Sequence, residues 1–199
     1  MREAVFVSYA RTGLAKAGRG GFNITPAMTM AAHAISSAVE KSGVEPEAVE
    51  DVALGNGAHG AANLGRLAGL LAGLPVTTGG NTIQRHCSSG LNSIAIAANH
   101  IRVDGADVAV GAGVESISIP SPGFGGAVNM DPKLTEMYPA IYMAMIETAD
   151  IVAERYNVSR EYQDEYSYES QMRMARAQEN GLFEDEIVPM ATKMKLVDK

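Results

Sequence analysis

The cysteine at position 87 is the residue of this chain best suited to covalent chemistry. It is the only cysteine among 199 residues and lies in the run RHCSSG at positions 85–90, where a predicted strand passes into a predicted helix. The N–H groups and dipole at a helix N-terminus, with Arg85 beside them, favour a thiolate. A buried structural cysteine is the competing interpretation. His86 is expected to point elsewhere on the turn, so no base for the thiol is evident in this chain.

The run GNGAHG at positions 55–60 is a second candidate, because it fits the G-x-G-x-x-G pattern of dinucleotide-binding turns. That function also needs an acidic residue about 20 positions further on, to hold the ribose. No Asp or Glu occurs between Asp51 and Asp104. We therefore interpret the run as a glycine-rich turn between a strand and a helix, and we predict no nicotinamide or other redox cofactor.

Histidine is the remaining residue type that suggests chemistry. The chain has four histidines, scattered and without cysteine or acidic partners at ligand spacing: His33, His59, His86 and His100. Metal sites in proteins gather such side chains in recognisable clusters. We therefore predict no metal site.

Strands and helices alternate through the part of the chain that must position Cys87. Strands are predicted at 4–8, 51–54, 81–84 and 107–114, and helices at 25–43, 63–73 and 87–104. Thr25 followed by Pro26 is a favourable helix start, with a capping hydroxyl before a proline at the first helical position. The alternation predicts an α/β layered domain with a largely parallel or mixed sheet.

The stretch at 119–126 is rich in proline and glycine and predicts a domain boundary. Residues 1–118 would form the α/β domain that carries the nucleophile. Residues 119–199 would form a mostly helical domain, with helices at 138–156 and 159–180 and an extended tail at 190–199 that reads as a strand. Ser159 is the expected cap of the second helix.

Composition excludes several classes of function. Sixteen Lys and Arg against 23 Asp and Glu give a net charge of -7, so a nucleic acid or an anionic membrane is not the expected partner. The N-terminus has no signal-peptide core, and the uncharged stretch at 67–84 is broken by glycine and proline. With a single cysteine, these features favour a cytoplasmic protein.

Short stretches along nearly the whole chain resemble the N-terminal half of the thiolase family, which comprises acetyl-CoA acetyltransferases and 3-ketoacyl-CoA thiolases. Each stretch alone is weak, but their order and spacing are specific. They are EAV (3–5), ARTG (10–13), GRLA (65–68), AGLP (72–75), CSSGL (87–91), ADV (106–108), GVES (113–116), SRE (159–161), QDE (163–165), SQ (170–171) and FEDEIVP (183–189).

The resemblance implies that Cys87 is the nucleophile that accepts the acyl group, with its own backbone N–H in an oxyanion hole. The implied activity is carbon–carbon bond formation or thiolytic cleavage of a 3-ketoacyl-CoA, with coenzyme A thioesters as substrates and no metal or redox cofactor. Residues 119–199 would be the family's loop domain, which covers coenzyme A, incomplete at its C-terminal end. Met145 would line the substrate path, although Ala144 and Ile146 stand where many members have His and Gly.

The family's full chain is about twice this length. Its second half normally brings a Gly-His-Pro histidine, a Cys-x-Gly cysteine and an Asn-Glu-x-x motif, none of which occurs here. The resemblance therefore implies a complementary C-terminal half as partner, as a separate chain or a cleaved fragment, in dimers or tetramers of such assemblies. A non-catalytic thiolase-like subunit or scaffold and a ketosynthase-like condensing enzyme are the alternatives.

Overall fold

The computed structural model describes residues 2–57, 62–119 and 130–196, and these form two compact units. The first unit contains the described residues of Met1–Gly126 and Glu186–Lys199, and the second those of Ala127–Asp185. The tail therefore belongs with the first unit, whereas the sequence prediction placed it in the helical domain. A domain boundary at residue 119 stays a prediction.

The first unit is built on a parallel sheet. Its strands are β1 (Asp51–Gly55), β2 (Gly79–Ile83) and β3 (Ala109–Gly113), in the order β2-β1-β3. Val52 of β1 lies opposite Gly80 on one side and Val110 on the other. The predicted α/β class and three of the four predicted strands are confirmed. The fourth prediction, at 4–8, is wrong because those residues have no strand partner within the described part of the chain.

Three helices cover the two faces of this sheet: α1 (Ala27–Ser42), α2 (Leu64–Leu71) and α3 (Ser89–Asn99). Val52 and Leu54 lie on the same face of β1, because they are two positions apart in the strand. Both are buried in a core with α1 and α2. The opposite face of the sheet carries small residues and packs against α3. A short π-helical turn, His100–Asp104, extends α3 and ends at Gly105 with a φ of +88°.

The start of α1 differs from the predicted cap. Pro26, not Thr25, is the N-cap residue, and no side chain caps the helix. The Thr25 hydroxyl instead forms a hydrogen bond with the Thr192 hydroxyl in the tail. The cap prediction was wrong because a tertiary partner, which local sequence does not reveal, takes this hydroxyl.

The tail is fastened to the first unit by further hydrogen bonds. The Arg11 N–H donates to the Glu186 carbonyl (2.8 Å), and the Val188 N–H donates to the Arg11 carbonyl (2.9 Å). Asn23 donates to the Lys195 carbonyl (2.7 Å) and accepts from the Lys195 N–H (3.0 Å). Residues 190–196 form no strand, contrary to the prediction, because these contacts are isolated rather than a ladder.

The second unit consists of α4 (Pro132–Met137), α5 (Met145–Arg155) and α6 (Arg160–Glu179). Helix α6 is confirmed, and the Ser159 hydroxyl caps it by accepting from the Tyr162 N–H (3.2 Å). Helix α5 begins later than predicted, because Pro139 disfavours helical backbone at the residue before it and turns follow. Helix α4 was not predicted.

Candidate active site

Cys87 lies between the end of β2 and the start of α3, at the carboxyl edge of the parallel sheet. Its thiol is free and the residue is exposed. Ligands of open α/β sheets bind outside the carboxyl ends of the strands, where loops from several strands meet. The predicted nucleophile therefore occupies the edge at which this architecture forms binding sites, and the buried-cysteine interpretation is wrong for the described chain.

Hydrogen bonds within the turn fix the backbone around Cys87. The Ser89 hydroxyl accepts from the Arg85 N–H (2.8 Å) and donates to the His86 carbonyl (2.6 Å). The Ser88 N–H donates to the Arg85 carbonyl (3.1 Å). His86 adopts a left-handed conformation with a φ of +47°, which costs energy for a residue with a Cβ. These hydrogen bonds of the turn do not use the backbone N–H of Cys87.

The amino end of α3 rests directly on the strand ends, because glycine allows a close approach there. A Cβ on Gly55 would lie 2.4 Å from the backbone carbonyl of Ser89. A Cβ on Gly113 would lie 3.1 Å from the Cα of Gly90. The Ser93 hydroxyl, fully buried, lies 2.5 Å from the Ala112 carbonyl oxygen and ties α3 to β3. The sheet thus sets the position of the turn that carries the thiol.

The loops that follow β1 and β3 are joined beside this turn. Asn56, only 2 % exposed, donates from Nδ2 to the Val114 carbonyl (2.8 Å) and to Oε1 of Glu115 (3.3 Å). Oε2 of Glu115 accepts from the Gly57 N–H (2.9 Å), and the Gly57 carbonyl accepts from Gln84 (3.2 Å). Asn56 and Glu115 are residues that sequence reasoning missed as site residues. Both residues follow predicted strands, but nothing in the local sequence shows that they are joined to each other.

This arrangement suits a nucleophile that attacks a carbonyl group. The dipole and N–H groups at the start of α3 favour negative charge on an oxygen bound beside Cys87. Within the described residues, no side chain forms a hydrogen bond with the Cys87 sulfur. The described part of the chain therefore presents an accessible nucleophile with no general base hydrogen-bonded to it.

No histidine in the described part of the chain forms a hydrogen bond with the Cys87 sulfur. His100 lies 3.7 Å from Asp51, which begins β1, so it is at the amino edge of the sheet, opposite Cys87. His33 lies in α1, where its Nε2 is buried without a hydrogen-bond partner. His59 lies outside the described residues.

The other predicted features have different outcomes. Met145 is the first residue of α5 in the second unit and is exposed, and its role in substrate binding stays a prediction. In the glycine motif, Gly55 and Gly57 pack beside the turn of Cys87, while residues 58–60 lie outside the described part.

Across residues 2–57, 62–119 and 130–196, no three His, Cys, Asp or Glu side chains gather as metal ligands. No helix described there has the length and apolar character needed to cross a membrane.

Comparisons with known proteins bear on this site. The family described as "Thiolase, N-terminal domain" matches residues 4–199. The chain is 38% identical over 193 residues to a 3-ketoacyl-CoA thiolase of Bacillus subtilis, covering 96% of this chain and 49% of that protein. It is 36% identical to the human peroxisomal 3-ketoacyl-CoA thiolase, covering 96% and 45%. The crystal structure of the Bacillus anthracis acetyl-CoA acetyltransferase superimposes with a TM-score of 0.84 at 33% identity, covering 98% of this chain and 52% of that one.

Proposed function

Because the chain belongs to the thiolase family, as its N-terminal domain, we propose that it carries the nucleophile of a thiolase-type acyltransferase. The observation that supports this most directly is the exposed thiol of Cys87 at the amino end of α3, on the carboxyl edge of the sheet. The chain spans about half the length of the curated relatives it matches. The proposed activity also needs the residues of a complementary C-terminal half.

In the cleavage direction, the Cys87 thiolate attacks the keto carbon of a 3-ketoacyl-CoA. The carbon–carbon bond between that carbon and the α-carbon breaks, and the acetyl-CoA carbanion takes a proton from an acid of the other half. The shortened acyl group remains on sulfur as a thioester. The thiol of free coenzyme A then attacks this thioester, releases the acyl group as acyl-CoA and regenerates the thiol.

In the synthetic direction the same steps run backwards. One acyl-CoA acylates Cys87 and releases coenzyme A, and a base removes a proton from the α-carbon of a second acyl-CoA. The resulting carbanion attacks the acyl-cysteine and forms the new carbon–carbon bond. The N–H of Cys87, which the turn leaves unused, is suited to bind the developing oxyanion.

The remaining parts of the proposal rest on the family resemblance. The acid and base, a histidine and a second cysteine, come from the C-terminal half. The helical residues after 119 act as a loop domain that covers coenzyme A, with Met145 in the substrate path. No metal or redox cofactor takes part. Assembly as a dimer or tetramer and a cytoplasmic location are likewise predictions, and the human relative is named as peroxisomal.

Covalent acylation tests the proposal. Incubation of the purified chain with radiolabelled acetyl-CoA, alone and together with a C-terminal thiolase half, is expected to attach one acetyl group to Cys87. The attached label should be released by free coenzyme A. Mass spectrometry of the digested protein locates the modification.

Cys87→Ala is the matched variant, because the chain has no other thiol. It is expected to lose the label while keeping the fold, since an exposed thiol contributes little packing. Label that persists in Cys87→Ala contradicts the proposal. Absence of label in the unmodified chain under both conditions favours the scaffold alternative.

A further inference from the structure

The chain contains two Asn-Gly pairs, Asn56–Gly57 and Asn180–Gly181. In such a pair the backbone nitrogen of the glycine can attack the side-chain amide carbon of the asparagine. The new nitrogen–carbon bond closes a succinimide ring, the bond from that carbon to the side-chain nitrogen breaks, and ammonia leaves with the proton of the glycine nitrogen. Water then opens the ring to aspartate or isoaspartate. Glycine permits the attack because it has no Cβ to hinder the approach.

Glu115 holds both nitrogen atoms that take part in this reaction at Asn56–Gly57. Oε2 of Glu115 accepts from the Gly57 N–H, the attacking nitrogen, at 2.9 Å. Oε1 of Glu115 lies 3.3 Å from Nδ2 of Asn56, the leaving nitrogen, which also donates to the Val114 carbonyl at 2.8 Å. The Gly57 carbonyl is held as well, since it accepts from Gln84 (3.2 Å). Ring closure therefore has to break several hydrogen bonds at once.

Charge and burial act in the same direction as these hydrogen bonds. The Gly57 nitrogen must lose its proton to attack, and the Glu115 carboxylate repels the negative charge that develops there. Asn56 is only 2 % exposed, so the water that opens the ring has little access to its side chain. The surroundings of this pair therefore oppose each stage of the reaction.

Asn180–Gly181 is placed differently, at the end of α6 in the second unit. Asn180 is exposed, and its side chain forms no hydrogen bond within the described residues. The Gly181 N–H donates to the Gln178 carbonyl (3.0 Å), which is a neutral acceptor of the same helix. Because helix ends fray, this hydrogen bond opens readily. The second pair is therefore an internal reference for the first.

We infer that Asn56–Gly57 is a latent deamidation site and that the Glu115 carboxylate keeps it from reacting. The product would not fit its surroundings. Aspartate would turn an oxygen, which only accepts, toward the Val114 carbonyl and Glu115, where the amide of Asn56 now donates. Conversion would therefore break the link between the loops after β1 and β3, beside the turn of Cys87. The inference does not depend on the proposed function.

General-base catalysis by Glu115 would have the opposite effect. The carboxylate would take the proton of the Gly57 nitrogen and speed ring closure. The contacts favour protection, because the same carboxylate also holds the leaving nitrogen of Asn56 and the Val114 carbonyl holds it as well. The two effects predict opposite changes when the carboxylate is removed.

The rates of deamidation at the two pairs test the inference. The purified chain is incubated at mildly alkaline pH, and mass spectrometry of its peptides follows the exchange of amide for acid at each asparagine. In the folded chain, Asn180 is expected to convert at least about tenfold faster than Asn56, since a hydrogen bond to a charged group contributes at least that much. In urea the two rates should become similar, because both asparagines precede glycine. Equal rates in the folded chain, or a difference that persists in urea, overturn the inference.

Glu115→Gln tests the carboxylate itself. It is expected to speed the conversion of Asn56 by at least about tenfold and to leave that of Asn180 unchanged. Gln84→Ala is the matched control, since it removes another contact of Gly57 but touches neither reacting nitrogen. Its rate at Asn56 should stay within about twofold of that of the unmodified chain.

Slower conversion of Asn56 in Glu115→Gln would show general-base catalysis and overturn the inference. An equal increase in Glu115→Gln and Gln84→Ala would also overturn it, because any loosening of the loop would then suffice. If Glu115→Gln does not fold, the comparison of Asn56 with Asn180 in the unmodified chain decides.

Asn56→Asp imitates the product of the reaction. It is expected to lower the urea midpoint of unfolding, because its carboxylate meets the Val114 carbonyl and Glu115. Asn180→Asp makes the same chemical change at an exposed position and should leave the midpoint unchanged. Equal midpoints for the two variants contradict the disruption inferred at Asn56.

Discussion

The two units of this chain are stabilised in different ways. The first unit buries a continuous cluster of aliphatic side chains between the sheet and helices α1 and α2, with Ile35, Val52 and Leu54 fully buried. None of the described residues of α4, α5 and α6 in the second unit is buried. The second unit relies instead on local interactions along its helices, such as the cap at Ser159 and ion pairs on α6.

The difference indicates that the first unit is the more rigid of the two. Packing in a core positions groups accurately because side chains have few alternative arrangements. Exposed ion pairs one helical turn apart contribute only a few tenths of a kcal/mol each. The thiol of Cys87 is held by the unit with a core, whereas the unit without one carries exposed apolar and tyrosine side chains such as Ile146 and Tyr162.

Leu54→Ala is expected to have the largest effect on this contrast. Removing a fully buried side chain from the first core should lower the free energy of unfolding by about 2–5 kcal/mol. Leu182→Ala, at a residue of the second unit that is 67% exposed, is the matched control and should change it by less than about 0.5 kcal/mol. Urea denaturation followed by circular dichroism measures both. Similar losses for the two variants would show that the units do not differ in this way.

Gly55→Ala is expected to have an intermediate effect. The added Cβ would lie 2.4 Å from the backbone of Ser89 and must displace the amino end of α3. We expect a loss of about 1–3 kcal/mol in unfolding free energy and an altered rate of alkylation of Cys87 by iodoacetamide, because the turn that holds the thiol moves with the displaced helix end. Gly21→Ala is the control, since its Cβ would meet nothing within 4 Å. An unchanged alkylation rate in Gly55→Ala would show that the reactivity of the thiol does not depend on the position of α3.

Glu169→Gln is expected to have the smallest effect, in the second unit. Hydrogen bonds from Arg173 and Arg176 hold the pKa of Glu169 below its ordinary value of 4.5. Because the folded pKa is lowered, the stabilisation by the carboxylate is present above that ordinary value and is lost as the pH falls through the lowered pKa.

The helix content of Glu169→Gln should therefore be slightly below that of the unmodified chain at pH 7. This difference should disappear under acid conditions. Glu165→Gln on the same helix also removes one carboxylate, at a side chain that forms no ion pair within the described residues, and so controls for the change of charge. A difference that persists unchanged at low pH would show that the arginine contacts are not its cause.

The elements whose signals are local could be predicted from the sequence. Buried strands and capped helices were found because apolar periodicity and caps such as Ser159 are encoded within a few residues. Cys87 was found as the candidate nucleophile because its position at a strand–helix junction is also a local feature.

The features that depend on distant partners could not be predicted in the same way. Thr25 has the sequence of a cap but bonds to Thr192. The segment 4–8 has the composition of a strand, yet it has no partner within the described chain. The link from Asn56 to Glu115 joins loops 59 positions apart, and no local pattern reveals it.

The attachment of the tail to Arg11 also sets an order of events during synthesis. Arg11 and Glu186 are 175 positions apart, so at about 5–20 residues per second the ribosome delivers Glu186 roughly 9–35 s after Arg11. Throughout that interval Asn23 and Thr25 lack their tail partners. The first unit begins to form while the chain is still being made. Its contacts with the tail form only after the whole second unit has been synthesised.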